Sequence, residues 1–183
     1  VGIHAHSGSG ILDPHNWRSV AGELVQIAEQ FPAVEVIDLG GGLGVPEKPG
    51  DRPIDLSAVD ATLAEIKETY PQYRLWLEPG RYIVSRAGVL LTHVTQTKGK
   101  GEMRYIGVGT GMNSLIRPAL YGAYHEIVNL TRADQAPSET VTVVGPICET
   151  GVRLGSDRLV PPTREGDVIL LANAGAYRHV MST

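Results

Sequence analysis

An α/β segment followed by an all-β segment is the architecture this sequence predicts, and three observations predict it. Strand-like runs at Val1–His6, Val34–Leu39 and Tyr73–Glu78 alternate with helical patterns. Their ends are evenly spaced, 36 positions from His6 to Gly42 and 36 more to Glu78, the period of parallel β/α units. Past about residue 88 the texture changes to short β-branched runs split by Gly, Pro and Asp turns. The expected organisation is the C-terminal part of a (β/α)8 barrel over residues 1–87, then an antiparallel β-barrel or sandwich domain over 88–183, incomplete at its end.

Each element has its own warrant. Asp13-Pro14 reads as a helix start, with an acceptor at the cap and proline in the first turn. Trp17, Val20, Leu24, Ile27 and Phe31 then form a helical stripe that Pro32 stops. Residues 45–55 are a loop rich in Pro, Gly and charge. Ser57 caps a second helix with Val59, Leu63, Ile66 and Tyr70 on one face, closed by Pro71. In the second half, Val89–Thr97, Met103–Val108, Glu126–Leu130, Thr140–Val144 and Asp167–Leu171 read as strands, and Ser114–Tyr121 as about two helical turns.

Length and composition narrow the function. A complete β/α barrel takes roughly 250 residues, and fewer than 90 precede the β region here. The chain also opens inside a strand without Met, so it is expected to be part of a longer polypeptide. A partial barrel leaves strand edges that invite self-association. Net charge is −4 and the pI about 5.9, with no basic stripe, which argues against nucleic acid as a partner. No apolar run reaches the roughly 20 residues of a membrane span, and nothing resembles a signal peptide. A single cysteine excludes an internal disulfide and fits a reducing cytoplasm.

Chemistry gathers at the strand ends. The first strand runs into His6-Ser7-Gly8-Ser9-Gly10, the second into Gly40-Gly41-Gly42, the third into Glu78-Pro79-Gly80-Arg81. Ends of parallel strands share one rim of a barrel or sheet, and hydroxyl, glycine and acid there suggest a phosphorylated cofactor. Glycine lets backbone amides approach an anion closely. The triple glycine is not a dinucleotide fingerprint, since a Pro-rich loop rather than a helix follows it. His4 and His6 lie at i and i+2, so a metal pair is one reading, needing further ligands from other strand ends. A structural histidine and an imidazole stacked on a cofactor are the others. His15, His93, His125 and His179 fall on a helix or in the β half, which disfavours metal. There, Gly145-Pro146-Ile147-Cys148-Glu149-Thr150 sets the only cysteine beside a carboxylate in a turn. Arg117 and Tyr121, four apart, would share a helical face, the arginine offering a bidentate carboxylate site. Tyr177, just after a strand, reads either as a ligand contact or as a hydrophobic plug.

These motifs, together with Asp38-Leu39-Gly40-Gly41-Gly42, Arg117-Pro118-Ala119-Leu120-Tyr121 and Gly175-Ala176-Tyr177, resemble the diaminopimelate decarboxylases, pyridoxal-phosphate enzymes of the alanine racemase-like fold. The resemblance spans the chain, in order. Around Gly109–Leu130 it is most similar to the decarboxylase part of fused aspartate kinase–diaminopimelate decarboxylases. It implies pyridoxal 5'-phosphate as cofactor and meso-2,6-diaminopimelate, giving L-lysine, as substrate. His6 would stack on the pyridine ring; Ser9, Gly41, Gly42, Gly80, Arg81 and Tyr177 would hold the cofactor. Glu78 would pair with the pyridine nitrogen and keep it protonated. Arg81, Arg117, Tyr121 and Tyr177 would bind the substrate, with Glu149 on its distal ammonium. Cys148 would deliver a proton, and a homodimer would bring Cys148 and Glu149 to the site of the other subunit.

Departures from the family pattern accompany the matches. Family members hold the cofactor as a Schiff base on a lysine of an early barrel strand. The four lysines here are Lys48 in the loop, Lys67 on a polar helix face, and Lys98 and Lys100 in a Lys-Gly-Lys-Gly turn. None reads as a buried strand lysine, so the chain alone is expected to be inactive. Thr110 replaces a common acid, Val152 a common Asp, and Gly10 the more usual Gln. Decarboxylases of ornithine, arginine or carboxynorspermidine, and a non-catalytic homologue forming mixed dimers, are the alternative readings.

Overall fold

The computed structural model describes residues 1–101 and 103–183, the side chain of Lys100 excepted. The chain divides into two compact units, Val1–Pro46 with Gly50–Ile83, and Glu47–Pro49 with Val84–Thr183. The first is α/β and the second mostly β, as the sequence predicts.

In the first unit β1 (Gly2–His4), β2 (Val36–Asp38) and β3 (Arg74–Trp76) form a parallel sheet in that order, with Ile3 beside Ile37 and Ile37 beside Leu75. The ladder continues past the formal strands through Ala5 N to Asp38 O, Leu39 N to Trp76 O and Glu78 N to Gly40 O. Those bonds tie the three C-terminal strand ends to one another. α1 (Asn16–Ala28) and α2 (Leu56–Thr69) connect the strands, and α3 (Gly80–Val84) follows β3.

α1 buries Trp17, Ala21, Leu24, Val25 and Ala28 rather than the full stripe read from sequence. Ile27 and Phe31 are half exposed. Ile27 lies about 80° from Trp17 on the side opposite Val25, and so about 100° from the middle of the buried face at 100° per residue. Phe31 lies past the end of the helix altogether. The cap of α2 also differs from the Ser57 expected. Asp55 takes that place, its Oδ1 accepting from the amides of Ser57 and Ala58, because it is the residue with extended backbone just before the helix. Val59 and Ile66 are buried, with Leu63 and Tyr70 packed against the same core. Each such aliphatic side chain contributes about 1.5–3 kcal/mol of burial free energy.

The second unit is one six-stranded sheet. Its strands are β4 (Leu90–Lys100), β5 (Met103–Val108), β6 (Ile127–Asn129), β7 (Glu139–Val144), β8 (Arg153–Val160) and β9 (Val168–Leu171), in the order β6-β9-β4-β5-β7-β8. The outer strands β6 and β8 approach each other, so the sheet nearly closes into a barrel. It is not wholly antiparallel as expected, since β5 and β7 pair in parallel. The connection through 109–138, carrying α4 (Arg117–Tyr121) and β6, is long enough for the crossover that parallel pairing requires. α4 is a single turn starting at Arg117, not two turns from Ser114. Lys98 and Lys100 belong to β4, paired with Tyr105 and Met103, so the turn comes after them. β8 carries no clear period in the sequence: Gly155 and Asp157, with φ of 54°, interrupt it, and its register against β7 shifts. Leu115, Leu154, Ile169 and Leu171 anchor the core.

Candidate active site

Three loops meet at the strand ends of the first unit. Gly41 passes so close to Glu78 that a Cβ there would collide with the Glu78 carbonyl oxygen, and a Cβ on Gly42, whose φ is +95°, would strike the Gly8 carbonyl. Only glycine permits that approach. The amide of Gly41 donates to His6 Nδ1 at 3.2 Å, which leaves the ring proton of a neutral His6 on Nε2. The Gly80 amide donates to the Glu78 carbonyl oxygen at 2.8 Å. Gly10, at φ +80°, runs beside the Arg81 guanidinium, 3.5 Å from where its Cβ would sit. His6, Ser9 and Glu78 are exposed, open to a ligand.

The same edge holds a cluster that the sequence pattern understated. His4 Nε2 lies 3.2 Å from Glu78 Oε2, and His4, Asp38 and Glu78 offer ligand atoms all within 4.8 Å of one another. Asp38 Oδ1 also accepts from the Gly40 amide. A metal pair is one, disfavoured, reading of the His4/His6 spacing; the group that assembles joins His4 to two carboxylates instead and leaves His6 to the glycine loop. Asp38 and Glu78 are 40 positions apart in sequence, so only the parallel register reveals their meeting. The donor set is an exposed imidazole, a hydroxyl, a carboxylate and glycine turns that bring backbone to the surface. It fits a flat, phosphorylated, protonatable heterocycle.

The second unit holds the other candidates. Arg117 opens α4 and is buried, while Tyr121, closing the same turn, is exposed. Gly122 ends the turn in the left-handed conformation, as a helix C-cap commonly requires. Cys148 and Glu149 are exposed in the turn between β7 and β8. There Glu149 Oε1 accepts from the Thr150 amide. A Cβ on Gly151 would come within 3.0 Å of the Ala119 methyl, so that turn backs directly onto α4. Beside them is a cavity of about 460 Å³ lined by Pro118, Gly122, Thr150, Arg153 and Arg158 among others. Tyr177 is half exposed with φ of 54°, a conformation that costs a bulky residue strain and marks the site as constrained.

Two residues near Arg117 had no sequence signal pointing to them. Glu47, in the loop between β2 and α2, accepts from Arg117 Nη2 at 2.9 Å. His125 is fully buried, with Nδ1 2.7 Å from the Ala172 carbonyl oxygen and Nε2 3.3 Å from Arg117 Nη1. Burial pushes the His125 pKa below its ordinary value near 6.5, and the Arg117 charge adds to that; the Ala172 bond and Glu47 oppose it without prevailing.

Of the lysines, Lys67 caps the end of α2 by donating to the carbonyls of Pro71 and Tyr73. Lys48 and Lys98 are exposed. The Lys100 side chain lies outside the described residues.

The family model for the pyridoxal binding domain of pyridoxal-dependent decarboxylases matches residues 1–85, and that for their C-terminal sheet domain matches 81–175. The chain belongs to the pyridoxal-dependent decarboxylases. Diaminopimelate decarboxylases from Methanothermobacter thermautotrophicus and Archaeoglobus fulgidus are 42% and 40% identical to it. Each match covers 100% of this chain and 45% of the relative. The crystal structure of diaminopimelate decarboxylase from Helicobacter pylori complexed with L-lysine superposes with a TM-score of 0.87 at 31% identity, over 100% of this chain and 46% of that one. The chain thus spans about 45% of the length of the curated relatives it matches. Among its described residues, no helix is long and apolar enough to cross a membrane.

Proposed function

We propose that this chain supplies part of the site of a decarboxylase that converts meso-2,6-diaminopimelate to L-lysine with pyridoxal 5'-phosphate. The observation carrying this reading is the convergence of His6, the glycine turn and Glu78 at adjacent parallel strand ends, in a chain of this family. When bound, the cofactor supplies an electron sink that stabilises the carbanion left as carbon dioxide departs. Glu78, a carboxylate at the far strand end, holds a proton on the pyridine nitrogen, which deepens that sink. His6, fixed through Nδ1 by the Gly41 amide, keeps its ring ready to lie flat against the heterocycle. Ser9, the Gly41–Gly42 and Gly80–Arg81 backbone and Tyr177 hold the phosphate.

Substrate recognition follows from charge. The far end of diaminopimelate carries a carboxylate and an ammonium. Arg117 and Arg81 take the carboxylate, assisted by Tyr121 and Tyr177, and Glu149 takes the ammonium. Ornithine has no distal carboxylate and would leave the arginines unmatched. Cys148 returns a proton to the carbon that loses carbon dioxide. Cys148 and Glu149 act on the site of a second subunit in a homodimer, and the reaction runs in the cytoplasm. Among the described lysine side chains, Lys48 and Lys98 are exposed and Lys67 is spent on a helix end, so none of these is placed to anchor the cofactor and the chain by itself is expected to be inactive.

The test is carbon dioxide release by the complete cofactor-loaded protein offered meso-diaminopimelate, ornithine or arginine separately. Release from diaminopimelate alone supports the reading. Release chiefly from another amino acid keeps the cofactor chemistry and overturns the substrate.

A further inference from the structure

Arg117 is held by partners remote in sequence. Its Nη2 donates to Glu47 Oε1, 70 positions away, and its Nη1 faces His125 Nε2. The state of His125 follows from geometry. A carbonyl oxygen can only accept, so the 2.7 Å contact to Ala172 O places the ring proton on Nδ1. Nε2 then carries a lone pair and accepts from the guanidinium. Ala172 itself is held at the end of the β6–β9 ladder, where its amide donates to the Glu126 carbonyl at 2.9 Å. The tautomer of His125 is thus set by sheet register.

Such an arrangement does more than bury a charge. A neutral imidazole accepts a hydrogen bond without cancelling the guanidinium's charge, as a second carboxylate would. Glu47 fixes the other terminal nitrogen, so the plane of the guanidinium cannot turn. The Arg117 side chain keeps 10% of its surface exposed.

We propose that His125 and Glu47 are the positioning residues of Arg117, fixing its guanidinium in the one orientation that receives the carboxylate at the far end of the substrate. The proposal rests on the assignment of Arg117 to that carboxylate, made above. It makes affinity for the carboxylate depend on two side chains that do not themselves touch it.

A pair of competitive inhibitors separates the possibilities. L-Lysine, the product, retains the distal carboxylate, and cadaverine is the same molecule without it. Inhibition constants for both are measured on the complete cofactor-loaded decarboxylase carrying His125→Phe, His125→Gln, Glu47→Gln or Arg117→Ala, with melting temperatures alongside. In His125→Phe and Glu47→Gln the lysine constant is expected to rise about tenfold, equivalent to about 1.4 kcal/mol, with cadaverine within about twofold. His125→Gln, which keeps an acceptor, is expected to recover most of the lysine affinity. Equal shifts for the two inhibitors, or a lower melting temperature with neither constant changed, would overturn the proposal. If Arg117→Ala discriminates between the inhibitors while the His125 and Glu47 variants do not, the positioning role alone fails. If Arg117→Ala weakens both alike, the carboxylate assignment fails with it. Should His125→Phe not fold, Glu47→Gln, at a partly exposed site, decides the question.

Discussion

The two units present function in opposite ways. In the first, the candidate groups are placed by backbone: strands that end together, and glycines that let loops touch. In the second, Arg117 is placed by side chains, through Glu47 and a buried histidine anchored on another strand. Backbone placement exposes its groups and leaves a motif in the sequence. Side-chain placement hides the partners: Arg117 stands in a motif, but Glu47 and His125, which hold it, do not. The first should therefore fail through sterics and the second through charge and protonation.

Gly41→Ala should produce the largest effect. The new methyl would meet the Glu78 carbonyl and push two strand ends apart. A loss of about 3 kcal/mol or more is expected, read as a lower melting temperature together with loss of pyridoxal phosphate binding by absorbance. A variant that binds the cofactor normally would show that the loop contact is not what shapes the site.

Asp167→Asn is the corresponding test in the β unit. Burial pushes this carboxyl upward, but bonds from Arg132, Asn129 and the Arg164 amide outweigh it and hold its pKa below the ordinary value. A depressed acid contributes stability that is complete above about pH 4 and is lost as pH falls through the folded value. The substitution should cost about 2–3 kcal/mol at neutral pH. It should also flatten the acid limb of the stability curve in urea unfolding. An unchanged limb would assign acid sensitivity to other groups.

The smallest effect belongs to His125. Its folded pKa is lowered, so as pH falls below about 6.5 the unfolded chain takes up a proton that the folded chain refuses. Stability should decline from there toward the folded value, with Arg117, Glu47 and Arg158 as the charges that set the window. His125→Gln should remove that segment of the slope while leaving the Asp167 limb in place. A slope unaltered near pH 6 would refute the neutral imidazole.

What the sequence disclosed follows the same division. The parallel sheet, its even spacing and the glycine and acid at its ends were legible because strand period and turn chemistry are local. The partnership of His4 with Glu78 was not, since it needs the register of β1, β2 and β3 together. Glu47 lies in a segment that reads as plain loop, yet it clusters with the β unit. β8 has no legible strand pattern because a glycine and a left-handed aspartate interrupt its alternation. The parallel pairing of β5 with β7 has no local signature at all.

The position of β4 bears on time as well as place. It forms a tight hairpin with β5, whereas its other edge waits for β9, with Leu90 opposite Leu171 across most of the β unit. Short loops close early and long ones late. The carbonyl of Ala172, which sets the proton on His125, arrives only with that last strand. During refolding, the hairpin is expected to form well before His125 and Arg117 reach their final pairing. A chain paused at that stage would hold the hairpin while the Arg117 guanidinium still lacked its histidine acceptor.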